Sequence, residues 1–337
     1  MPEPVTLAVI ALGVALLLYT LTGGADFGGG VWDLLASGPR KDAQRSAVAR
    51  VIAPIWEVNH VWLIAVVVLL FVCFPRGFGL VATALHLPLT MMLVGVVLRG
   101  TAFTFRAYGL ADAEERSQWG FVFSVSSIVA PLFLGICAGA LAAGGIRVEE
   151  GRLATGFVEP WLQPFPILVG VLLLALCAHI AAVYLCRELE GDLQEDFRRR
   201  ALASGVVVGV VAWVALAVAR TGAPTVFDAL LAASGPTAAL QGATGAAAFV
   251  TLGALVRRRW WLARIGVGLQ TAGILLGWAL AQGPLLIVPD VAFADVAAPD
   301  PVIRAVLTAF GIGAVFLLPA LALLYRTFAT RSPGPRI

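Results

Sequence analysis

The sequence predicts an all-α polytopic membrane protein of about nine transmembrane helices, with the N-terminus outside and the C-terminus in the cytoplasm. Three observations carry this prediction. Hydrophobic residues make up 60% of the 337 and charged residues only 13%, whereas a soluble domain carries roughly 25% charge. The apolar residues gather into runs near the roughly 20 residues that a bilayer's hydrocarbon core demands. The basic residues fall mainly to one side of those runs.

The candidate spans lie at 5–35, 51–73, 78–105, 120–143, 163–186, 201–219, 237–256, 263–281 and 304–326. The first opens MPEPVTLAVIALG, with no basic residue before Arg40. It therefore reads as a retained helix rather than a cleaved signal peptide. It is longer than one crossing requires, so it is expected to tilt or to extend past the interface. The sixth and seventh spans are rich in Ala and Gly and have the faintest signal.

With nine spans, eighteen of the 23 basic residues share a side with the C-terminus; only Arg76, Arg147, Arg152, Arg220 and Arg304 fall opposite. Basic residues favour the cytoplasmic side, which sets the orientation. One helix more or fewer midway would scramble the asymmetry. The loops are short, so the chain 1–337 reads as a single integral membrane domain. The longest outside segment, near 282–303, carries four prolines and three aspartates. It suits an ordered cap, or equally an ordinary connector.

Charge and cysteine usage exclude other classes. A net charge of +3 gives no support to nucleic-acid binding. Cys73, Cys137, Cys177 and Cys186 all lie in or beside apolar runs and form no CxxC or CxxCH motif. A disulfide framework, a zinc ribbon and covalent haem attachment are unsupported. No metal ligand set is indicated. His60, His86 and His179 are the only histidines, and none is paired with another at helical spacing.

Ionisable groups inside a span are costly and so mark candidate sites. In the first span, LTGGADFGGGVWDLL (21–35), Asp26 and Asp33 are seven apart and share a helical face. Gly23, Gly24, Gly28, Gly29 and Gly30 leave room for a neighbouring helix to approach closely. The second span opens IAPIWEVNHVWLI (52–64). There Glu57 and His60 share a face, with Trp56, Asn59 and Trp62 beside them. Asp26 and Glu57 both fall in the cytoplasmic half, which suits a proton relay. The alternative is that the aspartates pair with arginines and that Glu57 pairs with Arg99 or Arg106. Gln241, Gln270 and Gln282 read as glue between helices. Trp260 and Trp261, beside Arg257–Arg259, read as an interfacial belt.

Three segments in order, 21–35, 52–64 and VLRGTAFTFR at 97–106, resemble subunit II of the cytochrome bd family of quinol oxidases, including its cyanide-insensitive branch. WALAQGPLLIVPD at 278–290 also resembles the family's loop before its last helix. The middle of the chain matches mainly in helix layout. The resemblance implies two four-helix bundles plus one peripheral helix, in a pseudosymmetric heterodimer with subunit I. Subunit I would hold two haems b, one haem d and the quinol-oxidising loop. Subunit II would bind no haem directly and would supply part of a proton route from the cytoplasm. It leaves open a structural quinone, bound lipid and a small single-helix accessory subunit. Glu57 and Asp26 match the family's acidic positions on that route. Asp33, Trp56, Asn59, His60, Arg99 and Arg106 are supporting polar or structural candidates. Gly23 and Thr104 stand where relatives carry acids, and Glu57 replaces an aspartate of other branches. The competing class is a proton-coupled secondary transporter using Asp26 and Glu57; a purely structural scaffold is a third reading.

Overall fold

The structure is a computed structural model that describes residues 3–108, 113–231 and 235–330. Within them, the side chains at 52–58, 107–108, 113–114, 116, 235–236 and 324–330 are not described. Long helices dominate: α1 (Glu3–Leu34), α2 (Lys41–Cys73), α4 (His86–Tyr108), α5 (Ala113–Ala143), α6 (Pro164–Glu188), α7 (Gly191–Gly222), α9 (Gly235–Val256), α10 (Trp260–Gln282) and α11 (Asp300–Thr330). Two short helices, α3 (Pro75–Ala84) and α8 (Pro224–Leu231), sit between them. Among the described residues, eight helices are long and apolar enough to cross a membrane, and α2 from Asn59 taken with α3 brings the number to nine.

The third span differs from the expected 78–105. The chain breaks at Phe74 (φ −135°, ψ 56°) and restarts with Pro75 in the first turn of α3, where a missing N–H costs least. α3 turns 117° from the outer part of α2. It buries Gly77, Val81 and Ala84 against the later cap, and the crossing itself begins at His86. The apolar run is continuous through both helices, so composition alone merges them.

α1 packs on α2 and α5, and α5 on α4. The second bundle pairs α6 with α7 and α9 with α10, with α6 also against α10. α1 and α5 join the bundles through α6, while α11 touches only α1 and α2 among the long helices in substantial contact. This is the layout of two four-helix bundles with one peripheral helix. The glycines of α1 make the join. A Cβ on Gly28 would collide with the Cys177 carbonyl of α6, one on Gly30 with Ser127 of α5, and one on Gly24 would lie 2.8 Å from the Ile180 side chain. Trp32 then donates its indole N–H to the Ala178 carbonyl at 2.8 Å.

The two ends of the molecule are unlike. At one end, β1 (Val148–Glu149) pairs with β2 (Arg152–Leu153), and β3 (Leu285–Ile287) with β4 (Val291–Ala292). Arg147 bonds Asp290 through Nε at 2.8 Å and Nη2 at 3.0 Å, and the Val148 N–H donates to the same carboxylate at 2.9 Å. Leu286, Ile287, Val291, Phe293 and Val296 are buried with Phe74 and Leu85. The segment 282–303 is thus an ordered cap. Gln282 serves it, donating to the carbonyls of Leu285 and Leu286 rather than bridging long helices. At the other end the connections are short and rich in arginine. Arg40 reaches Asp196 on α7, Arg258 reaches Glu195, and Arg187 lies over Trp261 at 4.9 Å.

Candidate functional site

Four charged side chains from two helices meet inside the first bundle. Asp26 and Asp33 lie on one face of α1, about 10 Å apart along the axis. Arg99 and Arg106 repeat the seven-residue spacing on α4. The two helices therefore form a ladder with two rungs. On the inner rung, Arg99 (2% exposed) grips Asp26 (0% exposed). Arg99 Nη1 donates to Oδ2 at 2.6 Å, Nη2 contacts Oδ1, and Nη2 also reaches the Asp26 carbonyl at 3.2 Å. On the outer rung, Arg106 Nη1 and Nη2 donate to Asp33 Oδ1 at 3.0 and 3.1 Å.

α5 furnishes the side wall. Ser127 donates its hydroxyl to the Phe123 carbonyl at 2.6 Å, which turns an oxygen lone pair toward Arg99 Nε, 2.9 Å away. Ser124 Oγ lies 2.9 Å from Asp33 Oδ2. The Phe123 ring stands between the rungs, 4.9 Å from Arg99 Cζ and 5.9 Å from Arg106 Cζ, and Phe27 flanks Arg99 at 5.2 Å. Ring faces attract a guanidinium most strongly where water is excluded. Each arginine thus meets a carboxylate and an aromatic face, and a serine of α5 completes each rung, Ser127 on Arg99 and Ser124 on Asp33.

α2 approaches from the other side. Asn59, buried, donates Nδ2 to Asp26 Oδ2 at 3.3 Å, while its Oδ1 has no partner among the described residues. A Cβ on Gly23 would lie 2.7 Å from that Oδ1, so an acid at position 23 requires Asn59 to move. His60 follows, half-buried. Trp56 and Glu57 lie on the same helix, but their side chains fall outside the described residues. A cavity of about 240 Å³ lies beside the outer rung, lined by Asp33, Ser46, Phe103, Arg106 and Phe123 among others.

Sequence reasoning singled out Asp26, Asp33, Asn59, His60, Arg99 and Arg106, and the structure gathers them. Arg99 and Arg106 are engaged by the aspartates of α1, the pairing that the sequence offered as its alternative; the alternative pairing of Glu57 with these arginines falls on a side chain outside the described residues. Asp33 is buried, at 1% exposure. Ser124, Ser127, Phe123 and Phe27 were missed. The three serines in the otherwise apolar FVFSVSSIV of α5, two of them three apart, were the available signal. Thr104 bonds only its own helix, at the Gly100 carbonyl.

The other histidines stand apart from this site. His179 is buried with Nδ1 3.2 Å from Ser204 Oγ, and His86 sits against Phe157 with Nδ1 2.9 Å from the Thr83 carbonyl. Among the described residues, no group of three or more His, Cys, Asp or Glu is placed to hold a metal.

Compared with known families, residues 4–328 match the family described as cytochrome bd terminal oxidase subunit II. The chain belongs to that family. Among curated relatives, it is 26% identical over 215 residues to cytochrome bd ubiquinol oxidase subunit 2 of Bacillus subtilis, covering 63% of this chain and 62% of that one. It is 30% identical over 201 residues to cytochrome bd-I ubiquinol oxidase subunit 2 of Escherichia coli K12, covering 59% and 52%. These matches span less than two thirds of each relative's length. Among solved structures, the bd oxidase of Geobacillus thermodenitrificans contains a chain that superposes with a TM-score of 0.83 at 22% identity, covering 98% of this chain and 99% of that one. That likeness shows that the two chains share a fold. With this family and these helices, the chain is a multi-pass protein of the bacterial inner membrane.

Proposed function

We propose that the chain is subunit II of a quinol:oxygen oxidoreductase, scaffolding a haem-bearing subunit I and contributing to a proton route from the cytoplasm. The observation that carries the reading is the family match along nearly the whole chain, residues 4–328. The arginine asymmetry supports the orientation: the rich end, with the Asp33–Arg106 rung and its cavity, faces the cytoplasm. Reducing oxygen within a low-dielectric protein requires protons to follow electrons, because uncompensated buried charge is expensive. A route from the cytoplasm then separates charge without a pump.

Within that route the acids have different parts. Asp26 is committed to Arg99 by two contacts and to Asn59 by a third, which suits a fixed charge that orients its surroundings. Glu57, two positions before Asn59 on α2, is the residue we assign to carrying protons. Two haems b and one haem d belong to subunit I in this reading, where they supply the electron transfer and oxygen chemistry. A structural quinone and a small accessory subunit are compatible with it. Glu57→Gln keeps the size and removes the titrating proton. Quinol-dependent oxygen consumption by the assembled complex is expected to fall by roughly tenfold or more. Unchanged consumption contradicts the role of Glu57 while leaving subunit membership intact.

A further inference from the structure

A second cavity, about 310 Å³, lies at the arginine-rich end, away from the rungs. Ser37, Gly38, Pro39, Arg40 and Gln44 of the α1–α2 corner line it, together with Asp196, Arg199 and Arg200 of α7. Three guanidinium groups and one carboxylate line it, with Asp192 3.5 Å from Arg40 at the rim, and the lining carboxylate is already occupied. Asp196 accepts from Arg40 Nη2 at 2.6 Å and Nε at 2.9 Å, and from Gln44 Nε2 at 3.0 Å. The lining therefore keeps an excess of positive charge.

Donors remain unspent. Arg200 is fixed by Gln44 Oε1 at 2.7 Å and by the faces of Phe197 and Trp32 at 4.9 and 5.5 Å, yet its Nη1 has no partner among the described residues. Arg199 is 75% exposed, and its ion pair to Glu195 is long at 3.4 Å. α2 begins here with no side chain capping it, so its positive end adds to the field.

What lies beyond Arg199 identifies the class of ligand. Val206, Val210 and Trp213 follow it at spacings of seven, eleven and fourteen residues, on one face of α7. They are 58%, 56% and 72% exposed. The strip runs about 20 Å from Arg199 into the span, the reach of an acyl chain. A charged head and an apolar track on one helical face match a lipid better than a free ion.

We propose that this cavity is a phosphate-group site that holds the headgroup of an anionic phospholipid, with an acyl chain laid along α7. Basic pockets between membrane helices recognise such headgroups by charge. The inference is independent of the catalytic role of the complex.

The complex purified from membranes tests it. Reconstitution into bilayers of phosphatidylglycerol and phosphatidylcholine, followed by native mass spectrometry, counts retained lipids. One phosphatidylglycerol is expected to persist in preference to phosphatidylcholine. Arg199→Glu alters an exposed residue and should weaken its retention at least about fivefold, the worth of one surface basic charge. Arg220→Glu, exposed at the opposite end, should leave it unchanged. Inorganic phosphate, titrated at equal ionic strength against chloride, should not raise the melting temperature as phosphatidylglycerol does. Equal retention of the two lipids overturns the proposal, as does retention that ignores Arg199→Glu. Stabilisation by inorganic phosphate alone assigns the site to a free ion and refutes the lipid.

Discussion

Among the described residues Arg99 is the largest of the fully buried side chains, and its guanidinium lies against Asp26. Removing one member of a buried pair leaves the other charge uncompensated, which costs about 3–5 kcal/mol. Asp26→Asn should therefore lower the thermal stability of the complex sharply. Asp33→Asn should lower it less, because Arg106 is 23% exposed and water can take up its charge. A double variant, Asp26→Leu with Arg99→Met, should cost less than the sum of its parts, and melting temperatures of the four species give the coupling. Equal losses at the two rungs, or full additivity, contradict the ladder. The two aspartates were legible in the sequence as charges at membrane depth spaced by seven, and the two arginines as their possible partners and as motif residues. Their pairing was not, because it depends on how α1 and α4 are rotated, and that is set by close contacts of glycines with α5 and α6. Phe123 was invisible for another reason: an aromatic in an apolar run gives no sign that two arginines flank it.

The glycine-rich segment of α1 shows how an element is placed. Gly28 sits so close to α6 that a side chain would strike the Cys177 carbonyl, whereas a Cβ on Gly13 would meet nothing within 4 Å. Gly28→Val should destabilise by about 1–3 kcal/mol or block assembly, since overpacking forces backbone shifts. Gly13→Ala should be close to neutral. Comparable losses, read as yield of folded complex, would argue against close α1–α6 contact. The cap offers a second test through pH. Partial burial opposes ionisation of Asp290, but the Val148 N–H and the Arg147 guanidinium outweigh it and hold the carboxyl below its ordinary value. A carboxyl depressed on folding adds stability above its unfolded pKa, and loses it as pH falls through the folded one. The β1–β2 hairpin should stay protected in hydrogen exchange down to about pH 4 and loosen only below it. Asp290→Asn should expose the Val148 amide already at neutral pH. The bend at Phe74–Pro75 was the element that the sequence concealed. Pro75 was visible, but the apolar run beyond it joined α3 to α4, and nothing local revealed the cap that holds α3 aside.

At the scale of the whole molecule, two bundles joined through α1, α5 and α6 carry unlike ends. The end capped by hairpins and short helices is knit to the helices by backbone bonds, from Val288 to Leu141 and from Ala298 to Cys73, and the Arg147–Asp290 pair ties its two hairpins together. The arginine-rich end carries short connections, two cavities and the outer rung. Composition was enough for the long apolar helices, eight or nine of them among the described residues, because membrane insertion is governed by the same apolarity. Three short segments then pointed to the family that residues 4–328 match. Partners left fainter traces. Exposed apolar side chains such as Val315, Phe316 and Leu323 of α11 suit lipid and protein neighbours alike. The central claim is that this chain works only within a haem-bearing oxidase. The most direct measurement is the visible absorption spectrum of material purified through an affinity tag on this chain, with quinol-dependent oxygen uptake measured on the same sample. The account predicts a coloured complex with haem b and haem d bands and oxygen consumption that requires quinol. A colourless, solitary protein that moves protons with a solute would contradict it.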